Sequence, residues 1–92
     1  MKLVHIGYGN YAAAERIVAV VLPDSAPVRR SVAQARKAGT LVDATAGHRT
    51  RSVLFVDTGQ VILSANQPET VAARFNQGGP AEGRLPPEED LP

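Results

Sequence analysis

The sequence predicts a small α+β domain: a mostly antiparallel sheet with two helices, in the order strand, strand, helix, three strands, helix. Three observations predict it. Short valine- and isoleucine-rich runs recur between turn residues, which is the pattern of strands. Two other segments switch to helical spacing, and each carries a proline in what would be its first turn, where the missing N–H has no intrahelical acceptor. Finally, 92 residues suffice for one modest hydrophobic core.

Lys2 to Ile6 is the first expected strand, and Gly7-Tyr8-Gly9-Asn10 the turn after it. Glycine and asparagine supply the positive φ values of a tight reversal. The chain then runs from Tyr11 into Ile17-Val18-Ala19-Val20-Val21-Leu22, whose β-branched content favours a second strand. Apolar side chains on both faces of that run imply that both faces are covered. Pro23 ends it. Asp24 or Ser25 caps the first helix, Ala26 to Ala38, with Gly39 as its terminator. At 100° per residue, Val28, Ser31, Val32 and Ala35 share the arc that faces the sheet, while Arg29, Arg30, Arg36 and Lys37 occupy an arc of about 120° on the other side. Leu41 to Ala44 is the third strand. Val53 to Val56 and Val61 to Ser64 follow, joined by the hairpin signal Asp57-Thr58-Gly59-Gln60. Pro68 opens the second helix with Glu69 near the positive end of its dipole. Val71, Ala72 and Phe75 form its buried stripe, and Asn76 to Gly79 ends it.

The net charge of +1 conceals an asymmetry. Residues 1–77 hold nine Lys/Arg and five Asp/Glu, a balance of +4, whereas 78–92 hold Arg84 against Glu82, Glu88, Glu89 and Asp90, a balance of −3. The expected organisation is a folded domain over 1–77 and a disordered acidic tail over 78–92, rich in glycine and proline. A basic body suits a polyanionic partner. No cysteine is present, and His5 and His48 lack the spacing of metal ligands, so neither metal nor cofactor is expected. The chain shows no signal-peptide pattern and no apolar run near the roughly 20 residues of a membrane span. A soluble cytoplasmic protein is the expectation.

The charge concentrates in Gly47-His48-Arg49-Thr50-Arg51-Ser52, between two apolar runs. An arginine there offers a planar fork of donors suited to phosphate or to a guanine edge. The nearest carboxylate along the chain is Asp43, so local ion pairing does not account for the cluster, although a solvated basic turn would carry the same residues. Gly7-Tyr8-Gly9-Asn10-Tyr11-Ala12 also fits the G-x-G-x-x-A form of a dinucleotide fingerprint, with Asp24 placed like a ribose-binding acid. Spacing argues against it. Only seven residues separate Gly9 from Ile17, too few for a turn plus a crossover helix.

Five blocks carry a family resemblance: Ile6-Gly7-Tyr8-Gly9-Asn10, Pro23-Asp24-Ser25-Ala26-Pro27-Val28, Leu41-Val42-Asp43-Ala44-Thr45, Arg49-Thr50-Arg51, and Val61-Ile62-Leu63-Ser64-Ala65 followed by Gln67-Pro68-Glu69-Thr70-Val71. Together, over roughly Lys2 to Phe75, the chain resembles the RemA family of bacterial extracellular-matrix regulators. The resemblance implies a fold similar to the LytTR DNA-binding domain. It also implies a nucleoid-associated activator of biofilm-matrix and related genes that assembles as a ring-shaped homo-oligomer on double-stranded DNA. Carried over by position, the implied DNA contacts are Arg16, Arg49 and Arg51. His48 stands where the family pattern has arginine, so the contact there is altered or becomes pH-dependent. Pro27 lies in the region the family uses near its subunit contacts. The helix face Arg29, Arg30, Arg36 and Lys37 is a possible secondary contact. Two other readings remain open at this point: an RNA-binding module, for which Tyr8, Tyr11, Phe55 and Phe75 form no evident stacking platform, and a purely structural ring. Catalysis is not expected, since no nucleophile-and-base pairing is present and His5 sits on an apolar strand. No membrane and no small-molecule substrate is implied.

Overall fold

Gly7, Tyr8 and Gly9 all take positive φ, at 112°, 51° and 78°, and that run folds the chain back on itself. In the computed structural model, which describes residues 2–76, the result is an antiparallel hairpin of β1 (Leu3–Gly7) and β2 (Asn10–Ala13). β2 corrects the expected order, which held no strand between the turn and Ile17. Alanine has little intrinsic strand preference, and pairing with β1 decides the conformation of Ala12 and Ala13. A single 3₁₀ turn, Ala14–Arg16, leads into β3 (Ile17–Val21).

α1 spans Ala26–Ala38, as its caps predict: Ser25 Oγ accepts from the Val28 amide at 3.3 Å, and Gly39 closes the helix at φ 79°. β4 (Leu41–Asp43), β5 (Ser52–Val56), β6 (Val61–Ser64) and α2 (Pro68–Asn76) complete the described chain. The second sheet has the order β3-β5-β6-β4. β5 is antiparallel to both neighbours, whereas β4 is parallel to β6. It follows that β3, β6 and β4 run the same way. α1 is therefore a crossover that carries the chain from one sheet edge to the other, and the β5–β6 hairpin fills the space between.

Both faces of the central strands are covered. Val53, Phe55, Val61 and Leu63 pack toward Val28, Val32 and Ala35 of α1. The alternate residues Leu54 and Ile62 join Val4, Ile6, Ala12, Ala14 and Val71 from the β1–β2 hairpin, the 3₁₀ turn and α2. This is the period-2 alternation of a strand buried on both sides. Ser52 and Ser64 are fully buried cross-strand partners. Their hydroxyls donate to Asn66 O and Ile6 O, each at 2.8 Å, which removes the cost of burying them.

Two expectations about packing change. β3 is an edge strand with a register shift between Ile17 and Ala19. Val20 and Val21 join the cores on opposite faces, but Val18 is 68% exposed and Leu22 59%. The bulge turns Val18 out of the pleat, so the apolar run is covered only in part. In α2 only Val71 is buried; Ala72 is exposed and Phe75 is 38% exposed. Lys2 Nζ donates to Phe75 O and lies 5.3 Å from the centre of its ring. Phe75 thus serves the edge of the α2 packing rather than its core. The segment 77–92, with the expected acidic tail, lies outside the described residues, as does the expected termination of α2 at Gly79.

Candidate functional site

The loop between β4 and β5, residues 44–51, presents the cations. Its base is anchored by its own polar chemistry. Asp43 Oδ1 accepts from the Thr45 amide at 3.0 Å and from Thr45 Oγ1 at 2.6 Å. Those two hydrogen bonds hold the Asp43 carboxyl below its ordinary range against a small opposing effect of burial, with the Arg36 guanidinium adding to the depression. Thr45 O then accepts from the His48 amide at 2.9 Å, closing a turn in which Ala46 and Gly47 take positive φ. His48 Nδ1 lies 3.3 Å from the same carbonyl. A carbonyl only accepts, so Nδ1 carries the hydrogen in that contact. At the far end, the Arg51 amide donates to Ser64 O at 2.8 Å.

His48, Arg49 and Arg51 are exposed on this loop. Among the described residues no carboxylate reaches ion-pair distance of Arg49 or Arg51, since the one ion pair joins Arg16 and Asp57. Arg49, Arg51 and Asp24 border a shallow depression of about 140 Å³. Arg51 also lines a larger cleft of about 570 Å³ with Asn66, Gln67, Glu69 and Arg74, beside the start of α2.

The expected contacts do not all gather in one place. Arg49 and Arg51 lie together with His48. On α1, Arg29 and Arg36 line a groove of about 280 Å³ that reaches Thr50, so this row of the helix borders the basic loop. Arg30 and Lys37 do not line it. Arg16 stands apart. It is the last residue of the 3₁₀ turn before β3, pairs with Asp57 at 3.4 Å, and accepts the Asp57 amide on its carbonyl. Asp57 follows β5 and Arg51 precedes it, so about 20 Å of strand separates them.

Three residues at the site were not legible as its members. Tyr8 stacks on His48 with ring centres 4.6 Å apart and planes 12° from parallel. It does so at φ 51°, a left-handed conformation that costs a side-chain-bearing residue roughly 1–2 kcal/mol. Asn10 Nδ2 reaches from the same turn to Ala44 O at 3.4 Å and closes its own turn onto Gly7 O at 2.9 Å. Arg74 is half-buried and donates to His5 O at 3.1 Å and Asn66 Oδ1 at 2.9 Å. Its charge, after burial itself, helps to hold His5 below the ordinary imidazole value. Spacing along the sequence does not signal the Tyr8–His48, Asn10–Ala44 and Arg74–His5 contacts, because each joins segments far apart in the chain. His5 itself packs against Tyr11, with ring centres 5.0 Å apart. Among the described residues no three His, Cys, Asp or Glu side chains gather as a metal-ligand set. No described helix is long and apolar enough to cross a membrane.

The model of the RemA-like family, described as extracellular matrix regulatory protein A-like, covers residues 3–75. The chain belongs to the RemA-like family. Relatives are similarly close over most of their length. A candidate regulatory protein of Synechococcus elongatus is 55% identical over 82 residues, which is 88% of this chain and 94% of the relative. One from Acetivibrio thermocellus is 50% identical over 91 residues, covering 99% and 98% of the two chains. Another, from Alkaliphilus oremlandii, is 55% identical over 76 residues, covering 83% and 82%. These names describe regulators rather than enzymes, and a regulatory role is the one this RemA-like chain shares with them.

Proposed function

We propose that this RemA-like protein is a DNA-binding transcription regulator of the nucleoid, with a LytTR-like fold, that acts as a ring-shaped homo-oligomer. Double-stranded DNA is its partner, and matrix genes are its targets, in keeping with the family's description. The observation that carries the reading is the pair Arg49 and Arg51, exposed on an anchored loop without a carboxylate partner among the described residues. Guanidinium groups with no competing partner can meet phosphates without first giving up an ion pair. The balance of +4 over residues 1–77 supports a polyanionic partner.

Magnitudes favour repeating the patch, as a ring would. Three or four phosphate contacts per subunit, each releasing about 0.9 counterion, bind weakly at cellular salt. Repeating the patch in one particle supplies further contacts at high effective concentration, provided that DNA bends to follow them. The exposed apolar side chains Val18 and Leu22 at the β3 edge support self-association.

The test is duplex binding at about 0.15 M salt with a competing single strand. The parent protein is expected to prefer duplex, and the Arg49→Ala, Arg51→Ala double variant to lose most of its affinity at unchanged particle mass. Equal affinity in parent and double variant would remove this site from DNA binding.

A further inference from the structure

The spacing argument weighs against a dinucleotide fingerprint in the glycine turn at 7–10, and the charge-based reading of the surface gives it no task. Its contacts supply one. It meets the basic loop directly at two points and backs the strand just after it through Asn66. Asn10 Nδ2 reaches Ala44 O at the loop's start. The Tyr8 ring lies flat on His48 in the middle, with centres 4.6 Å apart. Gly7 presses on Asn66 so closely that a Cβ at position 7 would sit 3.1 Å from Asn66 Oδ1, and Asn66 O in turn accepts the Ser52 hydroxyl just after the loop's end.

We propose that Tyr8 is a positioning residue for the basic loop: stacked on His48, it holds residues 45–51 in the arrangement that presents Arg49 and Arg51, without touching the nucleic acid itself. The inference rests on the DNA-binding reading of Arg49 and Arg51 and assigns the turn its part in it. Within the loop the hydrogen bonds run from Asp43 through Thr45 to His48 and resume only at the Arg51 amide. His48 is therefore the last anchored residue before Arg49, and the stack is what bears on it from outside the loop. The backbone at Tyr8 points the same way. At φ 51° asparagine or glycine would be at ease, so the tyrosine gains nothing there except the contact its ring makes.

That conformation also supplies the variant. Tyr8→Asn removes the ring while suiting the turn, so the hairpin is retained, and Tyr8→Phe keeps the ring without the hydroxyl. Two measurements are made on the full chain. Amide hydrogen exchange without DNA should accelerate at His48 and Arg51, the two hydrogen-bonded amides among residues 46–51, in Tyr8→Asn and match the parent in Tyr8→Phe. Duplex affinity should fall about two- to tenfold in Tyr8→Asn, the range that an aromatic pair is worth, and recover in Tyr8→Phe. Because Tyr8 acts through His48, the loss in Tyr8→Asn, His48→Ala should equal the larger single loss rather than their product. Multiplying losses would mean that Tyr8 touches DNA directly and would overturn the proposal, as would unchanged exchange or affinity in Tyr8→Asn. Should the parent not bind duplex at all, the DNA reading fails by itself, and the exchange comparison still decides whether the stack orders the loop.

Discussion

Arg16 and Arg51 stand at opposite ends of one antiparallel ladder, because Arg16 leads into β3 and Arg51 into β5. With about 20 Å between them, they cannot meet the same phosphate. Groups more than about 10 Å apart with no shared partner contribute additively. Arg16→Ala and Arg51→Ala are therefore expected to weaken duplex binding by factors that multiply in the double variant, each lowering the salt slope by about 1 per subunit. A double variant no worse than Arg51→Ala alone would show that Arg16 serves only its pair with Asp57.

The β3 edge carries the prediction for assembly. Val18→Asp places a charge where an apolar side chain is 68% exposed, so the isolated fold loses little. Light scattering at micromolar concentration should give several subunits for the parent and a smaller particle for Val18→Asp, with helix and strand content preserved. A parent that runs as a monomer would dissolve the ring.

His5 predicts an acid-side loss of stability. Burial, and secondarily Arg74, hold the folded imidazole below its ordinary value. As pH falls the unfolded chain takes up the proton first, so stability contributed by His5 is complete above about pH 6.5 and declines below it. Asp43, also depressed in the fold, adds its own loss only from about pH 4 downward. Melting temperatures measured from pH 7.5 to 5 should fall less steeply in His5→Gln than in the parent. Parallel curves would assign the acid sensitivity to other groups.

His48 is the residue at which the sequence is expected to depart from the family pattern by lacking an arginine. Arginine keeps its charge throughout, and its planar guanidinium stacks on an aromatic ring as imidazole does, so His48→Arg preserves the contact with Tyr8. His48→Arg, which fixes a positive charge beside Arg49 and Arg51, should therefore strengthen duplex binding at about 0.15 M salt. Unchanged affinity in His48→Arg would make charge at this position irrelevant.

Local chemistry was the legible part of the fold. The limits of α1 followed from Ser25, Pro27 and Gly39, and the β5–β6 hairpin from Asp57 to Gln60, because caps and turns act within a few residues. β2 was hidden by its alanines, and the exposure of Val18 by a bulge that depends on the partner strand. At the site, Arg49 and Arg51 could be read from their crowding in a short gap. The remoteness of Arg16 could not, since it is set by strand pairing. Nor could the Tyr8–His48 stack, which joins residues 40 positions apart.

The order β3-β5-β6-β4 also has a consequence for how the molecule comes into being. The two outer strands precede the two inner ones in the chain, so as the polypeptide leaves the ribosome β3 has nothing to pair with until β5 has been made, and β4 nothing until β6 is complete at Ser64. Only the arriving β5–β6 hairpin can join them, and in doing so it fixes both ends of the 44–51 segment through Leu63 O and Ser64 O. Pulse-labelled exchange during refolding should find the amides of β3, β5 and Arg51 protected in one kinetic step. The arginine surface is then born with the completed sheet, and a nascent chain short of that point offers nucleic acid no shaped surface to hold.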